Sequence, residues 1–342
     1  MPAPYRVGLL GLGHVGGALV DRLVRDADRI AQVAGRPITL EAIGVRHPEG
    51  RTAPAPLVQP EALLARTDLD AVVELIGGLE PARTYIEQVL RAGRQVITAN
   101  KQVIAAHGPE LARLGPLRLE ASVASAIPIV EILAETLASD RIDAVTGILN
   151  GTTNAMLHAM ARGTSYADAL ATAQREGLAE ADPSADVDGH DPAAKLAILI
   201  MLAFHRRIDP AAISRIGIRQ LDAAALQTAR QAGQVVKLVA AAVDQDYRIA
   251  ADVRPRLVPE SDPLAHVDGP DNGILVDATY AGQLFLKGPG AGPDAAASAV
   301  VADLIRAARG APASAGSLLA SLAGTPPAVI SPLGHDEPYP TA

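Results

Sequence analysis

The feature that most constrains this chain is a run of glycines set between two kinds of periodicity. Val7-Gly8-Leu9-Leu10 is a short apolar run of the sort a buried strand shows, and Gly11-Leu12-Gly13-His14-Val15-Gly16-Gly17 follows at once. Val15, Leu19 and Leu23 then recur at i, i+4 and i+8, the spacing of one helix face. The glycines therefore lie at a strand-to-helix junction. Gly11 permits the tight turn, Gly13 lets a diphosphate approach the main chain, and Gly16 allows the helix to pack closely on the strand. The helix N-terminus adds unpaired N–H groups and a partial positive charge, which suits Leu12, His14 and Val15 to phosphate oxygens through their main chain. Glycines spaced this way are a weak signal alone. Flanked by a strand and a helix, they predict a dinucleotide site.

The rest of the chain organises around that junction. Further strands are expected at Leu40–Val45, Ala71–Ile76, Gln95–Thr98 and Leu117–Ala121, with helical stretches such as Glu61–Arg66 and Pro81–Ala92 between most of them. This alternation predicts an α/β, Rossmann-type, doubly wound parallel sheet over residues 1–130. Beyond it the texture changes. Strands are expected at Ala144–Leu149, Val235–Val243, Tyr247–Arg256, Gly273–Ala278 and Gln283–Lys287, and helices at Tyr166–Glu176, Ala193–Phe204 and Ala223–Ala229. That pattern predicts an α+β substrate-binding domain with a mostly antiparallel sheet over 131–292. C-terminal helices over 293–324 are expected to return to the first domain, followed by a loosely ordered tail at 325–342.

Composition excludes several classes. The net charge is −8 with no dense basic run, so nucleic-acid binding is not expected. There is no cysteine, which removes disulfides, thiolate nucleophiles and Cys-bound zinc, and suits a reducing cytoplasm. The N-terminus runs straight into a strand without a signal peptide, and the longest apolar stretch, near Ala193–Phe204, is too short for a membrane span and carries Lys195.

Two positions bear on the cofactor and two on catalysis. NAD enzymes usually end the second strand on a carboxylate that binds the ribose. Here the chain reads Ile43-Gly44-Val45-Arg46-His47, and Arg46 could pair with a 2′-phosphate or be a solvated surface arginine. The expectation is NADP(H) over NAD(H). Lys101 follows a strand in Thr98-Ala99-Asn100-Lys101, at the sheet's carboxyl edge. Lys195 follows Asp191-Pro192, which reads as an N-cap and first helical residue. In the first turn, beside an apolar run, this lysine would lose affinity for its proton, as a proton-transfer lysine needs. It could equally be a snorkelling surface lysine. Six carboxylates, Glu176, Glu180, Asp182, Asp186, Asp188 and Asp191, crowd just upstream and call for cations or donors. A calcium loop is disfavoured, because the glycine is misplaced and Ala197 stands at the twelfth position. The chemistry so far is hydride transfer on a small amino-bearing substrate.

Taken together, these motifs resemble the homoserine dehydrogenase family over nearly the whole chain. The resemblance is carried by Gly8 to Gly13, Ala99-Asn100-Lys101, Glu120-Ala121-Ser122-Val123 with Ile127-Pro128-Ile129, Gly147-Ile148-Leu149-Asn150-Gly151-Thr152-Thr153-Asn154, and the block from Glu180 through Asp186 and Asp191 to Lys195. It implies NAD(P)-dependent interconversion of L-homoserine and L-aspartate 4-semialdehyde, in threonine, methionine and isoleucine biosynthesis, by a homodimer. Position by position it implies Lys195 as proton donor and acceptor and Lys101 as a second catalytic lysine. Asp191 and Asp186 would hold Lys195 and the substrate's polar groups, and Glu180 would bind the substrate ammonium. Thr98, Gly177 and Gly290 would lie against the cofactor. A structural Na+ would be held by the Glu120 side chain and the carbonyls of Val123, Ser125 and Ile127. Departures are Ala124-Ser125-Ala126, where the family usually has glycines, Ala155 and Leu178, where aromatics are common, and Ala296, where threonine is. The residues after Thr325 are too few for the family's regulatory domain. The alternative is an NADPH-binding sensor or pseudo-enzyme, which would bind cofactor without turnover.

Overall fold

The structure is a computed structural model that describes residues 2–50, 52–246 and 248–334. The chain divides into two compact units. One runs up to Thr136 and resumes over Gly292–Thr325; the other is Leu137–Ala291 with the stretch that starts at Pro326.

The first unit is built on a six-stranded sheet. Its strands are β1 (Tyr5–Leu10), β2 (Ile38–Gly44), β3 (Leu57–Val58), β4 (Ala71–Glu74), β5 (Gln95–Thr98) and β6 (Leu117–Arg118), in the order β3-β2-β1-β4-β5-β6, all pairings parallel. A parallel sheet is covered on both faces, and its strands are apolar accordingly. Tyr5, Val7 and Leu9 face a core that the Pro293–Ala308 helix completes with Ala297, Val300, Val301 and Leu304. The strand order reverses direction between β1 and β4. That is the switch point where a crevice opens beyond the carboxyl ends.

The second unit carries a seven-stranded sheet: β7 (Ile142–Ile148), β8 (Ser214–Arg215), β9 (Gln234–Asp244), β10 (Ile249–Pro259), β11 (Asp271–Ala278), β12 (Gly282–Pro289) and β13 (Ile330–Ser331). The main path β12-β11-β7-β9-β10 is antiparallel throughout, and only the short β8 and β13 pair in parallel. The His190–Phe204 helix is buried over almost its whole length, which explains its all-round apolar sequence.

Several expected boundaries move. The fifth strand shrinks to Leu117–Arg118 because the chain turns into a 3-10 helix over Glu120–Ser122. The strand expected from Tyr247 is described from Ile249 and runs on to Pro259; Tyr247 itself lies outside the described residues. In the stretch expected to be a loose tail, Ile330–Ser331 pairs with β10, and the Leu333 N–H donates to buried Asp252 at 3.2 Å. Residues 335–342 lie outside the described residues. Among the described residues no helix is long and apolar enough to cross a membrane.

Candidate active site

The glycine loop has the geometry its sequence implies. Gly11 has φ +96°, and a Cβ there would lie 2.7 Å from the Leu75 carbonyl oxygen. A Cβ on Gly16 would come within 2.3 Å of the Gly11 oxygen, so the helix His14–Arg25 can approach the strand only because this residue is glycine. Nothing lies within 4 Å of the Cβ position on Gly13. The main chain there is open to a ligand. Leu12, Gly13, His14, Asp21, Arg25 and Asp294 line a concave surface on this side of the unit. Arg46 is exposed just beyond the end of β2.

At the carboxyl ends of β4 and β5, Thr98 is buried and its hydroxyl donates to Glu74 Oε2 at 2.6 Å. Asn100 caps the Lys101–Ala112 helix by accepting the Val103 N–H, and its amide donates to the Gly78 carbonyl at 2.8 Å. Lys101 is the first residue of that helix and is half-buried.

In the second unit the structure gathers Lys195, Asp191 and Asp186. Lys195 Nζ lies 2.9 Å from Asp191 Oδ2 and donates to the Leu149 carbonyl at 2.6 Å, with both side chains under a tenth exposed. The amide of Asn150 donates to Asp191 Oδ2 at 2.9 Å and to Asp186 Oδ1 at 2.6 Å. Its Oδ1 accepts the N–H and the hydroxyl of Thr153, capping the Gly151–Met160 helix. All four hydrogen-bonding positions of one buried amide are thus used to fix two carboxylates and a helix start. Glu180 is exposed and its carbonyl accepts from Gln174, outside that network of hydrogen bonds. Gly177 is exposed, and Gly290 is buried against Asn272.

One local expectation is corrected. Asp191 is not the N-cap, because the helix begins at His190 after Gly189, and Pro192 is its third residue. Asp191 therefore points its carboxylate one turn along, to Lys195 at i+4, rather than back at the first N–H groups. Lys195 falls in the second turn, where the helix dipole acts weakly, so its setting is that of a buried ion pair.

Glu120 is buried, and its two oxygens accept the N–H groups of Val130 and Glu131, each at 3.1 Å. Burial, and then the neighbouring Asp303 carboxylate, push the Glu120 carboxyl up to about 8. Burial likewise lifts Asp303 to about 7. Arg306 is 3.6 Å from Glu120 and 3.5 Å from Asp303. One partly exposed guanidinium thus faces two carboxyls in need of positive charge. The adjoining turn holds Ala124 at φ 51° and Ser125 at φ 49°, left-handed values that glycine adopts freely and alanine or serine only with strain. Among the described residues no group of three or more His, Asp or Glu is gathered as for a metal ion.

Sequence reasoning left Asn150 and Glu74 without roles. Asn150, three residues before Thr153 at a strand-to-helix boundary, carried an N-cap signal. Glu74 was a charge closing an otherwise apolar strand of a sheet covered on both faces.

Comparison with known proteins shows the family and the fold. The model of the family described as homoserine dehydrogenase matches residues 128–305, and that of the homoserine dehydrogenase NAD binding domain matches 11–116. The chain is 43% identical over 318 residues to homoserine dehydrogenase of Corynebacterium glutamicum, covering 89% of this chain and 72% of the relative. With that of Mycobacterium tuberculosis the identity is 41% over 320 residues, covering 90% and 73%. Among solved structures, a homoserine dehydrogenase from Thiobacillus denitrificans superposes with a TM-score of 0.88 at 38% identity, over 96% of this chain and 80% of that one. A hyperthermophilic archaeal homoserine dehydrogenase in complex with NADPH gives 0.78 at 26% identity, over 91% and 99%.

Proposed function

The chain belongs to the homoserine dehydrogenase family, and on that premise we propose how its residues divide the work of an NAD(P)-dependent oxidoreductase acting on a CH–OH group. The reaction interconverts L-homoserine and L-aspartate 4-semialdehyde, a step towards threonine, methionine and isoleucine. The nicotinamide cofactor, when bound, supplies or accepts the hydride. Everything else is the task of the protein.

In the first unit, the N–H groups of Leu12, His14 and Val15 bind the diphosphate over Gly11, Gly13 and Gly16. The open space above Gly13 supports that reading. Arg46 takes the 2′-phosphate, which makes NADP(H) the preferred cofactor over NAD(H); the NADPH held by the archaeal neighbour is consistent with this. Lys101, with Gly177 and Gly290, completes the cofactor contacts, and Thr98, fully buried with its hydroxyl on Glu74, serves the cofactor site from beneath. A monovalent cation, Na+, is held by the Glu120 side chain and the carbonyls of Val123, Ser125 and Ile127. The undersupply of positive charge at Glu120 and Asp303 supports it.

In the second unit, Lys195 gives or takes the proton of the substrate's hydroxyl oxygen. Asp191 stabilises its charged form and fixes its direction. Asp186 and Glu180 bind the remaining polar groups, Glu180 the ammonium. Lys101 is the second catalytic lysine. The enzyme is a cytoplasmic homodimer joined through the second unit's sheet, whose β11–β12 hairpin exposes Tyr280 and Phe285. The observation that carries the proposal is the buried Lys195–Asp191 pair tied through Asn150 to Asp186.

The test is NADP-linked oxidation of L-homoserine by the wild type and by Lys195→Ala. Loss of a positioned proton-transfer group lowers kcat by about 10²–10⁴-fold. That loss is expected with NADPH affinity unchanged. A Lys195→Ala enzyme with wild-type kcat overturns the role. Cofactor binding with no turnover in the wild type would return the sensor reading.

A further inference from the structure

We propose that Glu74 is a positioning residue for the cofactor: its carboxylate sets the shape of the loops that close the crevice at the sheet's switch point. The inference rests on the reading above only in taking that crevice as the dinucleotide site. Glu74 is the last residue of β4, in register with Leu10 of β1 on one side and Thr98 of β5 on the other. It is 1% exposed. A carboxylate so buried needs donors, and it has three: Ile76 N–H at 2.7 Å and Gly77 N–H at 3.2 Å on Oε1, and the Thr98 hydroxyl at 2.6 Å on Oε2. None is a cation.

The bonds reach three segments of the carboxyl edge. The Ile76–Gly77 turn is wound around Oε1, and its start packs against the glycine loop, since Leu75 N–H donates to Leu10 O at 2.8 Å and the Leu75 oxygen occupies the space a Cβ on Gly11 would take. Through Thr98 the link passes to the start of the Lys101–Ala112 helix, because Thr98 Oγ1 accepts the Asn100 N–H at 2.9 Å and Asn100 caps that helix. The Asn100 amide returns to Gly78 O and closes the ring.

The proton count makes the carboxylate necessary. Thr98 Oγ1 already accepts from Asn100, so its single proton must find an acceptor, which is Glu74 Oε2. Glutamine at 74 has the same shape and cannot serve. With its oxygen towards Ile76 and Gly77, its NH₂ faces the Thr98 hydroxyl and leaves that proton without a partner. With the amide turned round, the NH₂ faces two N–H donors. Either way at least one buried donor loses its acceptor and the loops must shift.

The experiment is calorimetric titration of the full-length chain with NADPH, alongside steady-state kinetics. One unmet buried hydrogen bond corresponds to about a tenfold change. Glu74→Gln is therefore expected to bind NADPH about tenfold more weakly, with kcat lowered and KM for L-homoserine at saturating cofactor within about twofold of wild type. Thr98→Val is expected to weaken NADPH similarly, whereas Thr98→Ser, which keeps the hydroxyl, stays within about threefold. The double substitution Glu74→Gln/Thr98→Val should be no worse than the weaker-binding single by more than about threefold, because residues in one network are not additive. Wild-type NADPH affinity in Glu74→Gln, or losses that multiply in the double variant, overturns the proposal. Should Glu74→Gln prove poorly folded, the threonine pair decides: wild-type affinity in Thr98→Val overturns it, and selective weakening with rescue by serine supports it. Affinity is read without turnover, so a wrong role for Lys195 or Lys101 leaves this result intact.

Discussion

Asn150→Ala is the substitution whose consequences can be worked most fully. It deletes an amide that donates to Asp186 and Asp191 and accepts twice from Thr153. Loss of the cap alone costs about 1 kcal/mol. Each hydrogen bond to a charged group contributes about 1.5–3 kcal/mol. These bonds share atoms and do not simply add, so the expected total is about 3–4 kcal/mol. In a unit of this size that lowers the melting temperature by about 6–16 °C. Asp191 keeps Lys195 but loses its orienting donor, so kcat/KM for L-homoserine should fall by about tenfold or more. NADPH affinity, carried mainly by the glycine loop of the first unit, should hold. Asn150→Asp separates the contributions. Aspartate still caps the helix, but it replaces two donors with a third carboxylate beside two others. Repulsion raises the new group's pKa above its unfolded value near 3.9, so the folded state binds more protons and stability falls as pH rises above that value. Asn150→Asp should thus approach wild-type stability only in acid. The assays are calorimetric melting across pH and initial rates with homoserine. A stability loss under about 1 kcal/mol in Asn150→Ala, with homoserine kinetics within twofold of wild type, would refute the reasoning.

Three further outcomes follow from other positions. Gly13→Ala should leave the melting temperature within about 2 °C, since its Cβ meets nothing, yet weaken NADPH by about tenfold or more, whereas Gly16→Ala should destabilise the unit as well, by about 2 kcal/mol. Calorimetry and titration of the two variants check this. Burial lowers the pKa of Lys237, which bonds Asn154 Oδ1 and the Val267 carbonyl. Between that lowered value and the ordinary 10.5 the folded state binds fewer protons than the unfolded, so stability contributed by this group rises with pH there. Lys237→Met should flatten that rise in urea titrations at stepped alkaline pH. Ala124→Gly and Ser125→Gly relieve left-handed backbone strain and should each stabilise the fold by about 0.5–1 kcal/mol, read from chemical denaturation.

Much of this was readable before any coordinates. The glycine loop was legible because three constraints coincide there, and the alternation of elements behind it was legible because a parallel sheet demands crossovers. The block from Glu180 to Lys195 was legible as a resemblance, but its internal geometry was not. Asp191-Pro192 reads as a helix start, so the pairing of Asp191 with Lys195 comes from the resemblance alone; the left-handed turn at Gly189, which lets the helix begin at His190, gives it its geometry. Glu74 was visible as an odd charge in a strand, but its donors are set by the turn that follows it and by Thr98 of the neighbouring strand, a pairing that no local pattern announces. The pairing of Ile330–Ser331 with β10 depends on a sheet edge that no local pattern announces.

The return of the chain to the first unit has a consequence for how the protein is made. The wall of that unit's core formed by Ala297, Val300, Val301 and Leu304 is encoded after the main stretch of the second unit, Leu137–Ala291. Domains fold broadly in the order they leave the ribosome. Here the glycine-bearing sheet emerges first, and one of its faces is covered only in part, by Leu19, Val20, Leu23 and Ile30 of the early helices, until Ala297, Val300, Val301 and Leu304 arrive. The second unit, Leu137–Ala291, is almost fully synthesised by then and can collapse while its elder neighbour waits. A ribosome stalled before residue 293 would display a sheet with bare apolar side chains, a target for chaperones, and a cofactor loop standing on a half-built floor.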